Sequence, residues 1–128
     1  MTVLMVSRYF NDHPKVLDLF KKEIIAFIDQ YNGNNVIRMG NILTGNIRKF
    51  LEENGYEIDV ISMPRRGKGL YNKNIKMIKE ATKVLAIQYE NSPNIQKFIN
   101  YAKQLQKPIE ILHLQKLDID KKLGSSRK

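Results

Sequence analysis

Short apolar runs alternate with helix-periodic segments along almost the whole chain, and most junctions between them carry a breaker. Val3-Leu4-Met5-Val6 is a continuous apolar run, as expected of a strand covered on both faces. Asn11-Asp12-His13-Pro14 follows as a turn and helix start, with Asn11 or Asp12 suited to capping and Pro14 to the first turn. Val16, Leu17, Phe20, Ile24, Phe27, Ile28 and Tyr31 then recur at helical spacing until Asn32-Gly33-Asn34-Asn35 stops them. Val36-Ile37-Arg38-Met39 reads as a second strand. The helix after it carries Ile47, Phe50 and Leu51 on one side and ends at Asn54-Gly55. A third strand centres on Ile58-Asp59-Val60-Ile61-Ser62, and a helix over residues 71–81 buries Ile75, Met77 and Ile78. Lys83-Val84-Leu85-Ala86-Ile87 is the fourth strand, Ile95, Phe98, Ile99, Ala102 and Leu105 mark the fourth helix, and Ile109-Glu110-Ile111-Leu112 is the last strand.

This order, without internal repeat or low-complexity linker, predicts an α/β fold: a three-layer Rossmann-like domain with a five-stranded parallel sheet. Right-handed crossovers favour the strand order 3-2-1-4-5. The domain is expected to take residues 1–113. Residues 114–128 lose periodicity and read as a basic, flexible C-terminal tail. A length of 128 residues suits one domain with a continuous core. The first apolar run lacks a basic leader and closes at Arg8, so it reads as a strand and not a signal peptide. No apolar run approaches the ~18 residues that cross a bilayer, so no membrane partner is expected. The chain has no cysteine, which excludes disulfides, thiolate metal sites and cysteine nucleophiles and agrees with a cytoplasmic location. His13 and His113 have no ligand-spaced partners, so neither metal nor cofactor is expected.

The net charge of +9 is concentrated. Residues 65–83 hold seven basic side chains against one acidic, and residues 115–128 hold five against two. Such segments read either as an anion or nucleic-acid footprint or as a solvated helix face with a solubilising tail.

In a doubly wound sheet, ligands bind beyond the carboxyl ends of the strands near the point where the winding reverses. That rule selects residues 7–14, 40–44, 63–70, 88–93 and the segment after 112. Ser7 and Arg8 leave the first strand directly; the guanidinium fork of Arg8 suits phosphate or carboxylate, and Ser7 adds a hydroxyl donor. Gly40 lets a ligand approach the backbone, while Asn41 and Thr44 either reach that ligand or cap the next helix. Pro64-Arg65-Arg66-Gly67-Lys68-Gly69 is the most basic loop, and Lys73-Asn74 falls in the following helix. A lysine near a helix N-terminus is mildly unfavourable unless an anion relieves it. Tyr9 or Tyr89 could stack on a base or serve packing. Ser92 and Glu90 leave the fourth strand, and Glu90 is the sole carboxylate of its loop and the only obvious candidate for acid–base work. No hydrolase, Walker or EF-hand motif is present.

Several of these pieces together resemble the SLOG superfamily, in particular its small YspA-like branch, related to the DNA-processing protein A and Lonely Guy Rossmann-like folds. The pieces are Val6-Ser7-Arg8-Tyr9-Phe10-Asn11-Asp12, Lys73-Asn74-Ile75-Lys76-Met77, Ala81-Thr82-Lys83-Val84-Leu85-Ala86-Ile87 and Ala102-Lys103-Gln104-Leu105-Gln106-Lys107-Pro108, which extend over residues 3–112. The chain departs from that family at its ligand-binding glycines: only Gly40 is retained after the second strand, and Ser92 stands without the family's Gly-Thr after the fourth. The resemblance implies binding of a nucleotide or nucleotide-derived ligand, in a sensor or accessory role, by Ser7, Arg8, Tyr9, Gly40, Asn41, Thr44, Lys68, Lys73, Asn74 and Ser92. It also implies a homodimer or higher oligomer. The alternatives are a nucleic-acid- or protein-binding module using residues 65–83, and a nucleotide N-glycosidase with Glu90 as its carboxylate.

Overall fold

The longest uninterrupted apolar stretches become the central strands. The computed structural model describes residues 1–40, 45–64 and 67–125. In it β1 (Thr2–Val6) and β4 (Lys83–Tyr89) lie side by side in parallel, Thr2 opposite Lys83 and Val6 opposite Ile87. β2 (Ile37–Gly40) and β3 (Ile58–Ile61) extend the sheet on one side and β5 (Ile109–Leu114) on the other. All pairings are parallel and the order is β3-β2-β1-β4-β5. This is the Rossmann-like α/β architecture with the 3-2-1-4-5 order that the alternation predicts. β1 is buried throughout, whereas both edge strands are only partly covered, which explains why the central runs lack alternation and the outer ones contain charges.

Side chains leave a strand to opposite faces in turn, so each central strand feeds two cores. Leu4, Val6, Leu85 and Ile87 point to the face covered by α3 (Lys21–Asn32) and α4 (Gly45–Glu53). Val3, Met5, Val84 and Ala86 point to the face covered by α5 (Lys68–Glu80) and α6 (Pro93–Gln104). The winding therefore reverses between β1 and β4, and a crevice opens there at the carboxyl rim. No helix among the described residues is long and apolar enough to cross a membrane.

Three local features differ from the sequence reading. The turn after β1 is already helical: Ser7 accepts a hydrogen bond from the Tyr9 amide and starts α1 (Arg8–Asp12), too short to show periodicity. The single helix expected over residues 16–31 is two, α2 (Pro14–Leu19) and α3, broken at Phe20 with ψ 16°. Phe20 stays buried with Leu17 and Ile24, so a 3.6-residue pattern runs through the break undisturbed. The segment expected as a tail forms a helix, α7 (Lys116–Ser125). Asp118 accepts from the Gln115 amide, half of a capping box, and Ile119 packs on the first core. Lys122 donates to Glu23 at 2.9 Å and lies 5.3 Å from the centre of the Phe20 ring.

α1 also organises its neighbour. Asn11 accepts from the Asn46 amide at 3.0 Å, and the Asn46 side chain donates to the Asn11 carbonyl at 2.8 Å. One orphan donor of the α4 N-terminus is thus satisfied by a residue distant in sequence.

Candidate ligand cavity at the carboxyl rim

A cavity of about 660 Å³ occupies the crevice where the winding reverses. The end of β1 contributes Ser7 and Arg8, the end of β2 contributes Gly40, α5 contributes Leu70, Tyr71, Asn74 and Met77, and the loop into α6 contributes Asn91, Ser92 and Asn94. The volume lies within the ~300–1,000 Å³ of small-molecule sites. Of the residues singled out in the sequence, Ser7, Arg8, Gly40, Asn74 and Ser92 meet here.

The two serines lock the crevice walls together. Ser92 Oγ donates to the Tyr89 carbonyl at 2.7 Å, which uses its one proton. The 3.1 Å contact between Ser7 Oγ and Ser92 Oγ is then donated by Ser7. Neither hydroxyl faces a base, so neither is an activated nucleophile in this arrangement. Ser92 holds the N-cap position of α6 without capping it through its side chain, and Pro93 occupies the first turn. The next amides, Asn94 and Ile95, belong to residues on the cavity wall and have no intrahelical acceptor. The wall therefore presents the positive end of a helix dipole.

Charge on the lining is one-sided. Among the described lining residues Arg8 and Lys97 are the cations, and none is a carboxylate. Arg8 is loosely held by Asp12 at 3.5 Å, with its side chain 75% exposed, a pairing that costs little to exchange for a ligand. The buried part of the lining is apolar and soft, with Met5, Met63 and Met77 from the second core, while Phe98 lies beside the half-exposed Tyr71 at a ring separation of 5.8 Å. Methionine adapts its shape to irregular occupants.

The structure relocates several expected roles. Gly40 leaves room for Met63: a Cβ at Gly40 would lie 2.9 Å from Met63 Cγ. The chain's own Met63 takes the space a side chain would need there, while Gly40 itself still lines the cavity. Lys73 turns to the Ser62 carbonyl at 2.8 Å, and Lys68 is exposed in the first turn of α5; neither lines the cavity. Tyr9 packs on the first core, stacked 3.8 Å from Tyr89 and 4.1 Å from His13. Glu90 directs its carboxylate to the Lys116 amide at 2.6 Å, and it too is absent from the lining. Asn41, Thr44, Arg65 and Arg66 lie outside the described residues. Part of the basic stretch is occupied internally: Lys83 donates to the Tyr31 carbonyl at 2.5 Å, and Lys76 pairs with Glu80 at 3.9 Å. The described residues contain no group of three or more His, Asp or Glu able to hold a metal.

Sequence reasoning missed Lys97, Phe98, Tyr71 and the methionines. The readable signal was spacing: Leu70, Asn74 and Met77 stand at i, i+4 and i+7, so once Asn74 is chosen the same helix face brings the other two.

The aromatic stack beside the cavity has a pH consequence. Burial, then the hydrogen bond to the Tyr9 hydroxyl and the charges of Tyr9, Glu90 and Asp120, push the Tyr89 phenol from 10.0 up to about 12. An unfolded chain ionises this group near 10.0, so its contribution to stability is complete below that pH and is lost as the pH climbs to about 12. Tyr89→Phe is expected to weaken the fall in stability across that window, followed by circular dichroism during alkaline titration. An unchanged alkaline transition in the variant would contradict this role.

No family model matches the chain, and no curated protein or solved structure matches it.

Proposed function

We propose that this cavity binds a nucleotide or nucleotide-derived ligand, as a sensor or accessory domain of SLOG type. The observation that carries the reading is convergence: Ser7, Arg8, Gly40, Asn74 and Ser92, from four separate parts of the chain, line one cavity whose described residues include two cations and no carboxylate. An anionic group is favoured beside Arg8 and the first turn of α6. A flat base suits the methionine and aromatic side chains of the lining.

The same charge balance narrows the ligand. A nucleoside triphosphate travels with magnesium, which is commonly held through one or two protein carboxylates. The described lining residues supply none, so a ligand of lower charge, a phosphate monoester or diester without metal, fits better. The described lining residues also include no carboxylate or histidine for proton transfer, and the chain has no cysteine, which favours binding over turnover.

Titration calorimetry with the four ribonucleoside monophosphates, in magnesium and in a chelator, tests the reading. Binding of at least one, indifferent to magnesium and without base release, is the expected result. If no mononucleotide binds and native mass spectrometry of gently purified protein shows no co-purifying phosphorylated molecule, the reading falls.

A further inference from the structure

Glu90 stands where β4 ends and the lip of the cavity, residues 91–95, begins. Its φ is 49°, in the left-handed region that glutamate seldom adopts. Such a conformation persists where the surroundings over-determine it. Here its contacts run to one place, the passage from β5 into α7. The Glu90 amide donates to the Leu114 carbonyl at 2.9 Å. His113 Nε2 lies 2.9 Å from the Glu90 carbonyl. Glu90 Oε1 accepts from Lys116, the first residue of α7, where a carboxylate also complements the helix dipole. The far end of α7 is docked separately, by Lys122 on Glu23 and Phe20 and by Ile119 on the first core.

We infer that Glu90 is a positioning residue: it ties the set of the cavity lip to the docking of α7. With α7 in place, the Lys116 amide holds the Glu90 carboxylate, the backbone stays left-handed, and the following residues turn Ser92 towards Ser7 and open the first turn of α6 onto the cavity. With α7 released, Glu90 relaxes to an ordinary backbone conformation and the lip loses its set. The consequence for affinity, weaker binding when α7 is undocked, rests on the ligand reading above; the mechanical coupling does not.

The test is amide hydrogen exchange on the full chain without ligand. Glu90→Asn keeps a residue that tolerates the left-handed region but is too short to reach Lys116. Ile119→Asp puts a charge on the docked side of α7, on a different element from the lip. The reporter is the Gln96 amide, which donates to the Ser92 carbonyl at 2.9 Å, and the control is the Leu51 amide in α4. Both variants are expected to exchange at Gln96 roughly tenfold faster, the scale of one charge-assisted hydrogen bond, with Leu51 unchanged. A wild-type rate at Gln96 in either variant, or equal acceleration at Leu51, overturns the coupling. AMP titration of the same proteins reads the affinity half: equal affinity in wild type and variants overturns it. If AMP does not bind the wild type, CMP, GMP and UMP are titrated in its place; absence of binding by all four counts against the ligand reading and leaves the exchange result to decide the coupling.

Discussion

Phe10→Ala is expected to lower the unfolding free energy by about 3–5 kcal/mol, as removal of a fully buried aromatic ring does. That is a large share of the ~5–15 kcal/mol by which domains of this size are stable. Phe10 has no exposed surface and packs edge-on against Tyr89 with ring centres 5.9 Å apart. It is the buried residue of α1, the five-residue helix that carries Arg8 to the cavity and Asn11 to the N-terminus of α4. A helix this short has no stability of its own and is held by its contacts. The variant is therefore expected to lose local order at both places before it unfolds globally. Urea unfolding monitored by circular dichroism measures the first effect, and a loss below about 1.5 kcal/mol, the range of a tolerated repacking, would show that α1 is anchored by something else.

Much of this was legible in the chain because it depends on local pattern. Continuous apolar runs at residues 3–6 and 84–87 mark strands covered on both sides, and two such strands in an alternating chain must be central. The reversal point follows from that order, and with it the convergence of Ser7, Arg8, Gly40, Asn74 and Ser92. What pattern does not carry is the destination of a long or flexible side chain. Lys73 looks like a ligand for an anion, yet its ammonium finds the Ser62 carbonyl across a loop. Gly40 looks like a place kept bare for a ligand alone, yet Met63, twenty-three positions later, occupies the space a side chain would need there. Glu90 looks like an acid–base candidate, yet it caps a helix whose own periodicity is too weak to announce it. In each case the competing partner is a backbone group or a side chain brought close by the fold alone. α7 was missed for a related reason: Ile119 on the first core and Lys122 on Glu23 are among the contacts that dock it, and neither forms an apolar stripe.

Removing both cavity cations, Arg8→Ala with Lys97→Ala, is expected to weaken nucleotide binding roughly a hundred- to ten-thousandfold. Each charge-assisted contact contributes about 1.5–3 kcal/mol, or roughly ten- to a hundredfold in affinity. Arg8 follows β1 and Lys97 stands one turn into α6, so the two cations belong to different elements, and the upper figure applies where their losses add. Both side chains belong to exposed residues, and the Arg8 ion pair with Asp12 is a surface pair, so the melting temperature of the double variant should stay close to wild type. This separates a binding defect from a folding defect, which truncating the buried methionines would not. A third comparison locates the anion. Lys68→Ala removes a cation of the basic 65–83 stretch that does not line the cavity, and should leave affinity within about twofold if the phosphate sits between Arg8 and α6. Calorimetric titration of the three proteins with the tightest-binding monophosphate decides the matter. Should Lys68→Ala cost as much as the double variant, binding follows the overall basic surface and the cavity is not where the anion lies.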